Sequence, residues 1–139
     1  MSTSAETRNV EFVKDLYAAF RRGDLPYLLE RFAPELESFG VNAAGKARAP
    51  FHFQGRRRED VARYFEALLG VLEPLRLEPR HYAAEGEYVY ATLHHEYKVR
   101  KSGAVLVLEN SVHRFRVRDG LVVAWFAADD TQLTVEALG

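Results

Sequence analysis

The chain has no cysteine, one methionine and one tryptophan. Disulfide staples and thiolate chemistry are thereby excluded, although the absence of cysteine alone does not fix a compartment. Charge of one sign is also missing: 19 basic residues against 20 acidic ones leave a net charge of −1, so there is no global field to draw in nucleic acid or an anionic membrane. No apolar run approaches the ~18 residues of a membrane-spanning helix. The N-terminal Met-Ser-Thr-Ser-Ala-Glu has no basic segment leading into an apolar one, as a secretory signal would. The expectation is a cytoplasmic protein that engages neither membrane nor nucleic acid. Repeats and low-complexity tracts are absent as well. What is present is ordinary globular composition, 47% hydrophobic and 28% charged over 139 residues, enough for one domain spanning residues 1–139 with a core of its own.

The most informative stretch is Gly86 to Asp130, which reads as three long strands joined by two tight turns. Aromatic and β-branched residues alternate with polar ones up to Arg100, and Lys101-Ser102-Gly103 breaks the run as a hairpin loop does. A second run, Ala104 to Val117, ends at Arg118-Asp119-Gly120, and Asp-Gly between apolar runs is a strong hairpin signal. The third run, Leu121 to Asp130, carries the sole tryptophan, Trp125.

Successive side chains of a strand point to opposite faces, so parity assigns each residue a side. Arg114 and Arg116 belong outside, because unpaired guanidinium groups are rarely buried. That turns Val105, Val107, Glu109, Ser111, His113, Phe115 and Val117 inward. With Glu96 and Lys98 outward, Val89, Ala91, Leu93, His95, Tyr97 and Val99 face the same interior. In the third run, Val123, Trp125, Ala127 and Asp129 share a face. One side of the sheet is therefore a mostly apolar lining that also holds His95, Glu109, His113 and Asp129.

The N-terminal half is helical. Thr3 and Glu6 have capping-box spacing, and Val10, Val13, Leu16, Tyr17 and Phe20 recur along one helical face. Gly23 suits a left-handed stop, and Asp24 suits the N-cap of a short second helix with Pro26 in its first turn. Glu35 to Phe39 reads as a short strand, and Gly40 to Pro50, with Lys46 and Arg48, as a loop of the kind that forms lids or binding segments. Gly55 precedes a third helix with an apolar stripe of Val61, Tyr64, Phe65, Leu68, Leu69 and Leu72, ended by Pro74. Leu75 to Ala84 reads as a strand that Pro79 confines to an edge or a bulge. Three helices ahead of a mostly antiparallel sheet make a two-layer α+β domain, and helices laid across a twisted sheet leave a conical hollow.

Tyr17-Ala-Ala-Phe-Arg-Arg-Gly-Asp24-Leu closing the first helix, Phe32-Ala33 closing the second, Gly55-Arg56 opening the third, and Asp119-Gly120-Leu-Val-Val-Ala-Trp125 leading to Asp130-Thr131 together resemble the nuclear transport factor 2-like superfamily. That superfamily has the cone-shaped fold of ketosteroid isomerases, SnoaL-like polyketide cyclases and limonene epoxide hydrolases. The resemblance covers nearly the whole chain and implies a curved sheet with three N-terminal helices on its concave face. It does not by itself fix a function, since the fold hosts enzymes and binding modules alike. The isomerases' oxyanion-hole tyrosine corresponds to Leu16, their general base falls near Gly40, and their protonated aspartate matches His113. The Asp-Arg-Asp set of the epoxide hydrolases corresponds to His95, Leu93 and Ala127. Neither machinery is intact.

What stands in those places is His113 and His95, which titrate near neutrality and can exchange protons or donate to an enolate. Asp129 is read as the third catalytic candidate, orienting an imidazole, with Glu109 as a substitute for it and a substrate contact. Tyr17, Phe53, Tyr97 and Trp125 are the candidate walls for a small hydrophobic, ring-shaped ligand. The plainer reading of each is also open: a hydrogen-bonded core histidine, a packed tryptophan, a solvated Glu109, an Asp129 capping a strand end. Arg56-Arg57-Arg58 suits a solvated basic edge offset by Glu59 and Asp60 better than an anion site. His94 and His95 point to opposite faces and no three-ligand set has metal spacing, so neither metal nor cofactor is expected.

Two functions follow: an isomerase- or cyclase-type enzyme working by acid–base proton transfer with His113 as its acid–base group, or a non-catalytic ligand-binding or dimerisation domain. On the outer face, Tyr88, Tyr90, Thr92, His94, Leu106, Leu108, Val112 and Phe126 are too apolar for a solvated sheet, and a two-fold homodimer through that face is the expectation, as the resemblance also implies.

Overall fold

The computed structural model describes residues 3–42 and 49–139. The chain begins with α1 (Ser4–Arg21), and Thr3 and Glu6 form the expected reciprocal cap: Glu6 N–H donates to Thr3 Oγ1 at 3.1 Å and Thr3 N–H to Glu6 Oε1 at 2.7 Å. Gly23 stops it with a φ of +75°, a conformation a Cβ would disfavour. Asp24 then caps α2 (Leu25–Glu30) by accepting from Tyr27 N–H at 3.2 Å. After β1 (Glu35–Val41) and β2 (Phe53–Arg57), the chain enters α3 (Arg58–Val71), whose buried stripe is Val61, Tyr64, Phe65 and Leu68.

The remainder is β3 (Leu72–Glu85), β4 (Tyr88–Val99), β5 (Val105–Arg118), β6 (Leu121–Ala128) and a terminal α4 (Thr131–Leu138). Asp119 and Gly120, at φ of 52° and 74°, make the tight turn between β5 and β6 that the Asp-Gly pair foretells. The six strands form one sheet in the order β2-β1-β6-β5-β4-β3, antiparallel throughout except where β1 runs parallel to β6. α1 packs on β3 and β4, while α3 packs on β1, β2 and β3, so the core lies between these helices and the sheet. This is the cone-shaped two-layer α+β fold, with a curved, unclosed sheet.

Several expectations are corrected. Phe53–Arg57 is a strand, short and proline-free but too poorly patterned to be read as one, and α4 adds a fourth helix among the described residues. The expectation of an edge or a bulge for β3 is met on both counts: its pairing with β4 slips after Pro74 and again after Pro79, each proline lacking the N–H a ladder needs. The largest correction is in β5. Leu93 pairs with Ser111 and His95 with Leu108, so two steps on β4 oppose three on β5. That bulge at Glu109 and Asn110 exchanges inside for outside in the first half of the strand. Leu106 and Leu108 are buried, whereas Val105, Val107 and Glu109 are exposed. A second slip in β6 puts Val122, not Val123, in the core opposite Val117.

Of the Gly40 to Pro50 loop, residues 43–48 lie outside the described residues, Lys46 and Arg48 with them. In the triple-arginine segment the side chains of Arg56 and Arg57 are exposed, and only Arg58 uses its guanidinium internally. Arg58 donates twice to the Phe32 carbonyl, at 3.0 and 2.7 Å, and the Asp60 carboxylate accepts from the N–H groups of Arg56 and Arg57. Among the described residues, no helix is long and apolar enough to cross a membrane.

Candidate functional site

Between helices and sheet lies an internal cavity of about 40 Å³. α1 contributes Tyr17, α3 contributes Tyr64 and Phe65, β4 contributes His95 and Tyr97, β5 contributes His113 and Phe115, and β6 contributes Trp125. Regular alternation puts them there: His95 and Tyr97 are two apart on β4, and His113 and Phe115 lie on the half of β5 beyond the bulge. Pairing of Phe115 with Trp125 brings the third strand into the same wall.

The polar groups of the cavity form two pairs. Tyr17 Oη lies 2.9 Å from His113 Nδ1, and Tyr97 Oη lies 2.8 Å from His95 Nδ1. The imidazole rings are 5.7 Å apart and nearly perpendicular. Both histidines are buried, and two nitrogens in this wall, His95 Nε2 and the indole Nε1 of Trp125, are buried with no hydrogen-bond partner. A buried polar atom left unpaired costs about 1–3 kcal/mol, which folded proteins usually avoid away from functional sites.

Burial sets the protonation states. His113 is pushed well below the usual histidine range by desolvation and further by the proximity of His95. Desolvation also lowers His95, but the Asp129 carboxylate opposes the shift, with His94 a lesser push downward. Burial drives the phenols of Tyr17, Tyr64 and Tyr97 upward, so all three remain protonated at neutral pH. The cavity near pH 7 is thus uncharged, furnished with two imidazoles and three phenols.

Of the sequence-predicted residues, Tyr17, His95, Tyr97, His113 and Trp125 come together around this space. Trp125 is sandwiched by rings: Phe39, Phe65 and Phe115 stack on it at 5.5, 5.9 and 5.7 Å, and His113 meets it edge-on at 5.5 Å. Asp129 stands behind the wall rather than in it; its carboxylate accepts from Ser111 Oγ, and its N–H donates to Asn42 Oδ1 at 2.8 Å. Glu109 is excluded by the bulge and faces outward. Phe53 is half-buried on β2 and touches Tyr64 at 6.4 Å without lining the cavity. Tyr64 was legible only as part of an apolar stripe, although an inward tyrosine on a helix is the same signal that marks Tyr17. Among the described residues, no group of three or more acidic or histidine side chains is arranged to hold a metal ion.

A family model described as SnoaL-like domain matches residues 13–125. No curated protein matches the chain. Among solved structures, an NTF2-like protein from Burkholderia xenovorans LB400 is 24% identical, with 96% of this chain and 98% of that one covered and a TM-score of 0.81. TerC, crystallised with polyporic acid, is 22% identical, covering 94% of this chain and 97% of its own, at a TM-score of 0.81. A proposed polyketide cyclase from Xanthomonas campestris pv. campestris is 20% identical, covering 98% and 100%, at 0.79. At such identities the likeness to these structures is one of fold.

Proposed function

This chain belongs to the SnoaL-like domain family, and on that premise we propose that it is a small-molecule enzyme of the isomerase or cyclase type that moves a proton within its aromatic cavity. The observation that carries the reading is the pair of buried tyrosine–histidine couples facing each other across 5.7 Å. Neutral imidazoles in a buried, mostly apolar site can remove a proton from carbon and return it elsewhere, and general acid–base catalysis contributes about 10²–10⁴-fold. The electrostatics divide the labour. A proton taken up by His95 is balanced by Asp129, whereas a charge on His113 faces burial and His95 with no anion to offset it. His95 is therefore the better base, with Asp129 as the charge that balances its protonated form, and His113, backed by Tyr17, is the better neutral hydrogen-bond donor to a developing enolate. This departs from the expectation from sequence, in which His113 is the acid–base group and His95 or Asp129 assists. The fold neighbours that are a proposed polyketide cyclase and a protein crystallised with polyporic acid support a small organic substrate.

Hydrogen–deuterium exchange at the acidic carbon of acetylacetone tests this. Exchange accelerated by the wild type and lost in both His95→Gln and His113→Ala is expected; acceleration that survives both substitutions contradicts it. A second reading, a ligand-binding module without catalysis, is favoured by the tight packing of Trp125 and the small cavity, and predicts binding without exchange.

We also propose a two-fold homodimer through the outer sheet face, with its residues amended. Tyr90, Val105, Val107, Val112 and Phe126 are the exposed apolar residues of the outer face, Leu106 and Leu108 having turned inward. Arg116 and Arg118 on that side pair with Glu37 and Glu87, so these charges are offset within the chain and leave no net repulsion there between two copies. A dimer by sedimentation at micromolar concentration is expected, and a monomer alone contradicts it.

A further inference from the structure

The cavity offers about 40 Å³, whereas sites that enclose a drug-sized ligand span roughly 300–1,000 Å³. The missing room lies next door. A groove of about 580 Å³ runs between the end of α1, the start of α2, the end of α3 and the first bulge of β3. Phe20 and Leu77 line both spaces, so these two side chains are the partition between them. The rest of the groove wall is apolar at Leu25, Leu69, Pro74 and Leu75, and Leu75 is 51% exposed there, an apolar surface that the monomer leaves uncovered.

Among the described residues, two cations and no carboxylate complete that wall: Arg21 and Arg76. They are not equivalent. Arg76 is committed to Glu78 and, at 3.5 Å, to Glu96. Arg21 has no ion pair among the described residues; its Nη1 donates to the Leu77 carbonyl at 3.3 Å, which holds the guanidinium beside the partition. One of five N–H donors is used in that bond, and the others are left for a ligand.

We infer that the groove is the antechamber of the cavity and that the substrate is an elongated amphipathic carboxylate, its neutral end passing between Phe20 and Leu77 and its anionic end held by Arg21. The orientation follows from solvation. A carboxylate pushed to the inner end would be stripped of water among neutral imidazoles and phenols, whereas at the rim it keeps solvent and gains a charge-assisted hydrogen bond. The inference rests on the proposed site only for the chemistry at the inner end; the groove, its partition and its cation stand apart from it.

Trp125 is the sole tryptophan and lines the cavity, so its emission reports occupancy of the inner end. Decanoate and decanol are the probes. Saturable change of emission by decanoate at lower concentration than by decanol is expected, with Arg21→Gln weakening decanoate about tenfold and leaving decanol unchanged. Arg76→Gln, already neutralised by its glutamates, is expected to change decanoate binding less than about threefold. Equal affinity for the two probes, equal weakening of both by Arg21→Gln, or no change of emission with either would overturn the inference. Should Arg21→Gln fail to fold, the wild type decides: decanoate binding falls between about 50 and 500 mM salt while decanol binding does not, and salt independence of both contradicts the assignment. Decanoate that fails to bind while acetylacetone exchange persists removes the antechamber alone. Decanoate that binds without exchange removes the proton-transfer reading alone.

Discussion

The two tyrosine–histidine couples are built from the same parts and differ in what stands behind them. In each, a phenol lies within 3 Å of an imidazole Nδ1 in an apolar wall. Behind His113 are the rings of Phe115 and Trp125, and behind His95 is the carboxylate of Asp129, anchored by Ser111 and Asn42. Burial alone makes an imidazole neutral; burial with a fixed anion nearby makes one that is neutral at rest yet able to take a proton. The difference between the couples is thus one carboxylate, and it can be broken or sharpened by substitution.

The largest expected effect comes from removing what holds the His113 side of the cavity together. Trp125→Ala takes out an indole stacked on three rings and should cost about 3–5 kcal/mol in denaturant unfolding, as large aromatic truncations in cores do. A loss under about 1 kcal/mol would mean that the ring is not the keystone of this wall. Tyr17→Phe and Tyr97→Phe come next, each leaving a buried Nδ1 without its partner at about 1–3 kcal/mol. Similar losses are expected for the two, and a marked inequality would show that the couples are not the matched units described above.

Protonation gives a smaller and graded effect. Both histidines have folded pKa values below their unfolded ones, so the unfolded chain binds more protons at mildly acid pH. Stability is therefore full above about pH 6.5 and declines as pH falls below it, at up to about 1.4 kcal/mol per pH unit for each histidine that stays neutral. Unfolding midpoints measured from pH 8 to pH 5 should show that decline, and His113→Phe should flatten it. A midpoint independent of pH over that range would contradict burial of the neutral rings.

How far the site could be read from sequence depended on where the strands slip. His113 falls on the inner face as read because alternation is unbroken from Tyr88 to Leu93 against Ser111 to Arg116, His95 and Tyr97 because β4 keeps its own alternation past the slip, and Trp125 because it pairs with Phe115 clear of the slip in β6. Glu109 and its valine neighbours were misplaced because an extra residue in one strand leaves no mark on the pattern of that strand: Val105 and Val107 alternate with Leu106 and Leu108, and either pair satisfies an apolar face. Only the partner strand decides between them. Phe53 was misread for a similar reason, since its strand is five residues long and shows no alternating pattern to fix which way the ring points. The α1 cap, Gly23 and the Asp119-Gly120 turn were legible because their physics is local to a few residues. The cavity itself, made by residues from seven elements meeting at a distance, was legible only as a consequence of the fold.

Nuclear magnetic resonance titration of the histidine ring nitrogens in the wild type and in Asp129→Asn tests the division between the couples without needing a substrate. Both imidazoles should titrate below the usual histidine range, His113 the lower, and Asp129→Asn should lower His95 further while leaving His113 unmoved. Titration of His113 near 6.5, or a shift of both rings alike on loss of Asp129, would contradict the assignment of His95 as base and His113 as neutral donor.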